Sequence, residues 1–365
     1  MNQIYLYAEL LQNIRQITIF ASLPTKRNDD THLELSPDQE TLTLYHDGDS
    51  ASIKLPDRIS SYTSLKLRPA SDPRDISLRL PLEDQRQQFT YDEIPWLAPD
   101  LNATTGVACK SCGDTFIPQM TIREWKDLPN ENWAEMMDFW HCHKPEEPKP
   151  KSRKRGAKKG YAATEKLTAQ PKIGLVDPCF LLLSPTDCSG IMERSDKRLA
   201  SHATVECAKC HETIGYADEN TNGWKLFKWN LSLMSFLGDS KEDFPTACWV
   251  SLQLLTLIEN NGMRKFVVHS EDEDALALLL WVFTPDLRYS SSHVPNQVTR
   301  AMKIFYQRIA DPQEALQANS NSADELILPI NLLETIQRSL HSTTAILPAS
   351  AVAFHAWTVG LLNRF

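Results

Sequence analysis

Between residues 15 and 82, apolar and polar side chains alternate in short runs, the period of strands with one buried face. The runs are RQITIFASL, THLELS, TLTLYH, SASIKL, SLKLRP and DISLRLPL, with turn residues between them. Their recurrence predicts a β-rich, sandwich-like domain over residues 1–100. Asp47-Gly48 falls between TLTLYH and SASIKL. Both residues tolerate the positive φ of a two-residue hairpin turn, which puts Leu42, Leu44, Ile53 and Leu55 on one buried face. No catalytic constellation stands out in this region, which reads as a scaffold or docking domain.

Beyond residue 100 the period changes. In NENWAEMMDFW, Asn130 can cap a helix and Glu131 falls in its first turn. Trp133, Met136, Met137 and Trp140 then recur at helical spacing on one face, either a core face or a partner-binding stripe. Residues 144–172 offer few apolar side chains and read as a disordered basic linker. From residue 173 the pattern is mixed. IGLVDPCFLLLS and KFVVHS are strand-like, and CWVSLQLLTLIENNG predicts a helix stopped at Gly262. LALLLWVF and MKIFYQRI fit either strands or buried helix. LPINLLETIQRSLHS reads as helix and AFHAWTVGLLNRF as a closing strand.

The predicted fold is α+β. It has the β-rich domain at 1–100, a zinc-bound segment from 101–143 and 173–215, the linker at 144–172 and a mixed α/β C-terminal domain at 216–365. A chain of 365 residues with 42% apolar and 23% charged side chains is long enough for two or three soluble units. The N-terminus lacks a basic leader, and the longest apolar run, Ala275 to Phe283, is too short to span a bilayer. The expected compartments are therefore nucleus and cytoplasm, where cysteines serve as thiols or metal ligands.

Charge sharpens the picture. The stretch KPKSRKRGAKKG, residues 149–160, carries seven basic residues and no acid; without it the net charge of −9 becomes −16. An acidic body argues against direct nucleic-acid binding. Lys151, Arg153, Lys154, Arg155, Lys158 and Lys159 form either a solvated tether or a nuclear-import signal. There is no internal repeat, Gly-rich phosphate loop, paired-carboxylate site or Ser-His-Asp order, which disfavours a free hydrolase or oxidoreductase.

Two Cys-x-x-Cys pairs, Cys109/Cys112 and Cys207/Cys210, are the strongest chemical feature. A two-residue spacer lets both thiolates of a turn point at one ion. Two such turns supply the closed tetrahedral shell of a structural Zn²⁺, with Gly113 relieving the first turn. The long gap between the pairs adds only modest loop-closure entropy. His141-Cys142-His143 forms a second candidate: a structural corner past a helix end, a second metal site completed by Cys179 or Cys188, or a thiol tuned by its histidines.

NWAEMMDFWHCH, the flanking Cys-x-x-Cys pairs and the ending LPASAVAFHAWTVGLLNRF together resemble the HECT-like family of proteins that bind ubiquitin-conjugating enzymes. The likeness runs from about Ile94 to Phe365. It implies a ubiquitin ligase or ligase cofactor, with a ubiquitin-conjugating enzyme, ubiquitin and protein substrates as partners. The alternative that the family implies is a non-catalytic, zinc-stabilised adaptor in a nuclear complex, such as one for pre-mRNA 3′-end processing. A HECT-type transfer needs an accessible cysteine whose thiolate takes ubiquitin as a thioester. Cys248 in DFPTACWV is similar to the family pattern Leu-Pro-x-x-x-Thr-Cys-Phe through Pro245 and Thr246. It departs from that pattern in Ala247, which separates Thr246 from the cysteine, and in Trp249, which replaces Phe. Cys142 is the second candidate. A ligase with neither thioester would act by positioning the loaded conjugating enzyme.

Overall fold

The structure, a computed structural model, describes residues 3–59, 67, 73–82, 94–129, 167–194, 203–234, 244–270 and 277–365. It divides into two compact units, one from Met1–Glu93 with Pro245–Phe365 and one from Ile94–Phe244. The boundaries differ from those read in the sequence, because the two ends of the chain build one unit together and the cysteine-bearing middle builds the other.

The first strands are β1 (Tyr5–Leu11), β2 (Gln16–Ser22), β3 (His32–Leu35), β4 (Thr41–His46), β5 (Asp49–Lys54) and β6 (Asp75–Pro81). β3, β4 and β5 form a three-stranded antiparallel sheet. Its hairpin turns at Asp47 (φ 51) and Gly48 (φ 83), as the Asp-Gly pair requires. Leu42, Leu44, Ile53 and Leu55 are all buried, and they join Leu6, Ala8, Leu10, Ile17, Ile19, Ile76 and Leu80 in one core. Most of the run SLKLRP and the whole of Trp133, Trp140, His141, Cys142, His143 and the basic segment 151–159 lie outside the described residues.

The middle unit is built from short strands: β7 (Gly106–Cys109), β8 (Thr115–Ile117), β9 (Glu124–Asp127), β10 (Ile173–Val176), β11 (Phe180–Leu183), β12 (Ile191–Arg194), β13 (Thr204–Cys207), β14 (Thr213–Asp218), β15 (Gly223–Phe227) and β16 (Leu231–Met234). Seven of them form a sheet in the order β12-β13-β14-β15-β11-β10-β9, and the other three a sheet in the order β16-β7-β8. The start and end of this unit meet. The Trp96 and Phe244 rings pack edge to face at 6.0 Å. Lys228, fully buried, donates from Nζ to the Trp96 carbonyl at 2.9 Å. Burial pulls the Lys228 ammonium down from 10.5 to about 8, against the opposing field of Asp177.

The C-terminal part returns to the first unit through α1 (Thr246–Asn261), β17 (Lys265–His269), β18 (Ala277–Ser291), β19 (Val294–Ile309), α2 (Pro312–Ala318), β20 (Asp324–Ile327), α3 (Ile330–Thr344), β21 (Ala353–Phe354) and β22 (Trp357–Asn363). α1 ends where Gly262 takes φ 72 and donates to the Ile258 carbonyl. LALLLWVF and MKIFYQRI are strands, the central hairpin of a nine-stranded sheet that curls as a half-barrel. Register shifts within β18–β19 supply the bend. The sheet also contains β1, β2 and β6, since β1 pairs antiparallel with the end of β18, Tyr7 opposite Ser291 and Leu10 opposite Arg288. The N-terminal strands therefore do not form a self-contained domain, and the described chain is strand-rich with few helices.

This shared sheet explains β1, whose sequence shows no clean alternation. One face meets the core under β3–β5; on the other, Tyr7 packs with Leu287, Tyr289, Phe305, Val359 and Leu361, and Tyr5 and Phe20 pack at its border. A strand covered on both sides has no polar face to alternate with. Its one acid, the buried Glu9, accepts hydrogen bonds from Lys303 Nζ at 2.5 Å and from the Tyr7 hydroxyl at 3.1 Å. Among the described residues, no helix is long and apolar enough to cross a membrane.

α3 buries Leu332, Leu333, Ile336 and Leu340, and Thr343 Oγ1 donates to the Leu361 carbonyl at 2.8 Å. The approach is close enough that a Cβ on Gly360 would lie 2.8 Å from the Leu340 carbonyl oxygen. Gly360→Ala should therefore cost roughly 1–3 kcal/mol, read as a lower urea midpoint, and an unchanged midpoint would show that helix and strand separate freely. Lys228 gives a pH prediction. Between its folded value of about 8 and its ordinary 10.5, the unfolded chain keeps a proton that the folded chain has lost. The cost of the buried ammonium is full below that window and disappears as the pH rises through it. Relative to Lys228→Met, wild-type stability should improve from about pH 7 to about pH 10, whereas a constant difference would refute a depressed lysine.

Candidate metal centre

β7 ends on Cys109 and β13 ends on Cys207, and each runs into a turn of the same design. In the first, the Cys109 N–H donates to the Asp114 carbonyl at 2.8 Å and the Gly113 N–H to the Cys109 carbonyl at 2.9 Å. In the second, the Cys207 N–H donates to the Glu212 carbonyl and the His211 N–H to the Cys207 carbonyl, both at 2.9 Å. The residue after the second cysteine is left-handed in both, Gly113 at φ 74 and His211 at φ 59. Glycine advertises this conformation in the first turn, whereas in the second a histidine adopts it with no such mark in the sequence.

The turns bring Cys109, Cys112, Cys207 and Cys210 together, with all four sulfurs within 4.8 Å of one another. Cys109 Sγ lies 3.7 Å from Cys210 Sγ, and Cys112 Sγ lies 3.6 Å from Cys207 Sγ. Four sulfurs about 2.3 Å from a central ion would sit about 3.8 Å apart at tetrahedral corners, so these two edges fit. All four are free thiols. Among the described residues, this is the only group of three or more His, Cys, Asp or Glu side chains placed to hold a metal ion.

The electrostatics show which sulfurs the fold favours as thiolates. Burial pushes the Cys109 thiol up to about 12, although the backbone N–H groups of Cys112 and Ser111 favour its thiolate. Cys207 is raised by burial in the same way, against the N–H groups of Cys210 and Lys209. Cys210 is held below the ordinary thiol value, first by the Glu212 N–H. Four thiolates at this spacing repel one another unless a cation lies between them, and binding one would release protons. A closed four-sulfur shell leaves no open position for substrate, so an ion here holds structure.

The other sequence candidates lie elsewhere. Cys248 sits in the first turn of α1, only 6% exposed, and burial pushes its thiol up to about 11. That is the opposite of the exposed, acidic thiol a thioester acceptor needs. Cys179 is buried, and burial raises its thiol. Cys188 is pushed up to about 12 by burial and then by the nearby Asp187. Neither belongs to the sulfur cluster. Their expected partners His141, Cys142 and His143 are outside the described residues.

Comparison with known proteins gives a family. The model for "HECT-like Ubiquitin-conjugating enzyme (E2)-binding" matches residues 9–359, across both units. The chain is 23% identical to the "Uncharacterized protein YJR141W" of Saccharomyces cerevisiae, over 96% of either chain. It is 26% identical to the "Uncharacterized protein C1734.10c" of Schizosaccharomyces pombe, over 75% of this chain and 78% of that one. No solved structure matches.

The cluster predicts about one bound metal ion per chain. Metal content by plasma mass spectrometry should fall sharply in Cys109→Ser and in Cys207→Ser alike. Undiminished metal in both would remove the site.

Proposed function

The chain belongs to the HECT-like ubiquitin-conjugating enzyme (E2)-binding family, and from that premise we propose that it is a ubiquitin ligase or ligase cofactor. It binds a ubiquitin-conjugating enzyme and promotes transfer of ubiquitin to protein substrates. The observation that carries this reading is the match over residues 9–359, which spans almost the whole chain.

The transfer proceeds by positioning rather than through a thioester on Cys248. A thiol that is 6% exposed and raised to about 11 is neither reachable by a protein-sized thioester nor ionised near neutral pH. Holding the loaded conjugating enzyme so that its thioester faces an incoming lysine lowers the barrier by orientation alone and needs no nucleophile from this chain.

The ion at the four cysteines is Zn²⁺. All-thiolate ligands favour a soft or borderline cation, and a four-coordinate tetrahedral shell is the usual arrangement of structural zinc. It supplies rigidity to the middle unit and takes no part in transfer. The basic residues Lys151 to Lys159 fit an import signal, which would place the protein in nucleus as well as cytoplasm. The alternative of an adaptor in pre-mRNA 3′-end processing gains no support from the fold or the relatives.

Single-turnover discharge of ubiquitin-loaded conjugating enzymes tests the proposal. With the cognate enzyme, the purified protein should accelerate discharge to lysine by roughly tenfold or more. No reducible ubiquitin adduct should appear on a non-reducing gel, and Cys248→Ser and Cys142→Ser should act like wild type. An adduct lost in either variant would replace positioning by a thioester. Failure to bind or discharge any member of a complete conjugating-enzyme panel would overturn the ubiquitin reading.

A further inference from the structure

The sulfur cluster is not symmetric in its accessibility. Cys109 and Cys207 are 0% exposed, whereas Cys112 and Cys210 are half-buried and face solvent in part. Two cross-turn edges of the cluster each join one reachable sulfur to one hidden sulfur: Cys112 to Cys207 at 3.6 Å and Cys210 to Cys109 at 3.7 Å. A reachable thiol beside a hidden one is the arrangement in which the first is oxidised and the second resolves it.

We propose that the four cysteines form a hydroperoxide-sensitive site whose products are two disulfides between the turns, Cys112–Cys207 and Cys109–Cys210, formed as the bound ion is released. Each half of the reaction balances. The Cys112 thiolate attacks one peroxide oxygen, the O–O bond breaks, and sulfenic acid and hydroxide result. The Cys207 thiolate then attacks the sulfenic sulfur, the S–O bond breaks, and a second hydroxide leaves as the disulfide forms. Two sulfurs have lost two electrons and the peroxide has gained them. Cys210 and Cys109 repeat the sequence with a second peroxide. With all four electron pairs withdrawn from coordination, the ion has no ligands and departs. The covalent bonds replace it as the tie between the turn after β7 and the turn after β13.

The pairing is a property of the folded protein. In an unfolded chain, loop closure favours the nearest partners in sequence, Cys109 with Cys112 and Cys207 with Cys210. The native turns oppose that preference by holding the cross-turn sulfurs in contact, at 3.6 and 3.7 Å. The inference rests on the sulfur geometry and is independent of any conjugating-enzyme activity.

Trypsin makes the test direct, because Lys110 lies between Cys109 and Cys112 and Lys209 between Cys207 and Cys210, so the four cysteines fall on four peptides. The full-length, metal-loaded protein is treated with hydrogen peroxide, alkylated, digested and analysed by mass spectrometry without reduction, with released metal followed by a chromogenic chelator. The expected result is loss of all four free thiols and metal release in step with the disulfides. The two cross-turn peptides should dominate, and dithiothreitol should reverse them. The same treatment in urea should give the within-turn pairs. Cys112→Ser should retain the Cys109–Cys210 disulfide and leave Cys207 reduced. Predominantly within-turn pairs from the folded protein, a random mixture, sulfinic acids without disulfides, or a cluster unreactive when its urea control oxidises would each overturn the proposal.

Discussion

Four thiols drawn into one cluster are the constraint on which the middle unit depends. β7 belongs to one small sheet and β13 to another, and the turns that leave them carry the cysteines. Short strands of three to six residues bury little apolar surface each. A clasp at their ends, with the hydrogen bonds that shape the two turns, compensates for the small core. The buried Lys228 and its bond to the Trp96 carbonyl perform a related task where this unit begins.

How much of this was legible follows from the range of each interaction. The Asp47-Gly48 turn, the stop at Gly262 and the Cys-x-x-Cys turns are encoded within a few neighbouring residues, and reading them locally placed them correctly. The two cysteine pairs could be matched at a distance because their spacing is repeated and their chemistry needs four ligands. The pairing of β1 with β18 has no comparable marker. Both faces of β1 are apolar because both are covered, so its residues carry neither a period nor a partner's address. That is why its two stretches, residues 1–93 and 245–365, carry no sign in the sequence that they build one unit. His211 conceals its left-handed conformation for a simpler reason: a left-handed histidine looks like any other histidine in a sequence.

Backbone donors also sort the cysteines by chemistry. A motif comparison ranks Cys248 highest as a nucleophile because it weighs neighbours in sequence. The fold packs that thiol into the first turn of an apolar helix and raises it to about 11. The sulfurs at the cluster, by contrast, have backbone N–H groups turned toward them, an arrangement that suits thiolates. Such a division assigns the described cysteines chiefly to architecture.

The sheet shared by both chain ends has a consequence for biosynthesis. Residues 4–80 can gather the core beneath β3–β5 as soon as they emerge, since all its members lie in that stretch. The opposite face of β1 and β2, carrying Tyr5, Tyr7 and Phe20, is covered among the described residues by side chains from residue 281 onward. At ribosomal speeds those rings and the open edge of β1 stay bare for roughly 15 to 60 s, while residues 94–244 emerge in one stretch. During that interval the nascent chain presents an aromatic strand with an unpaired edge, a surface prone to pair with other strands.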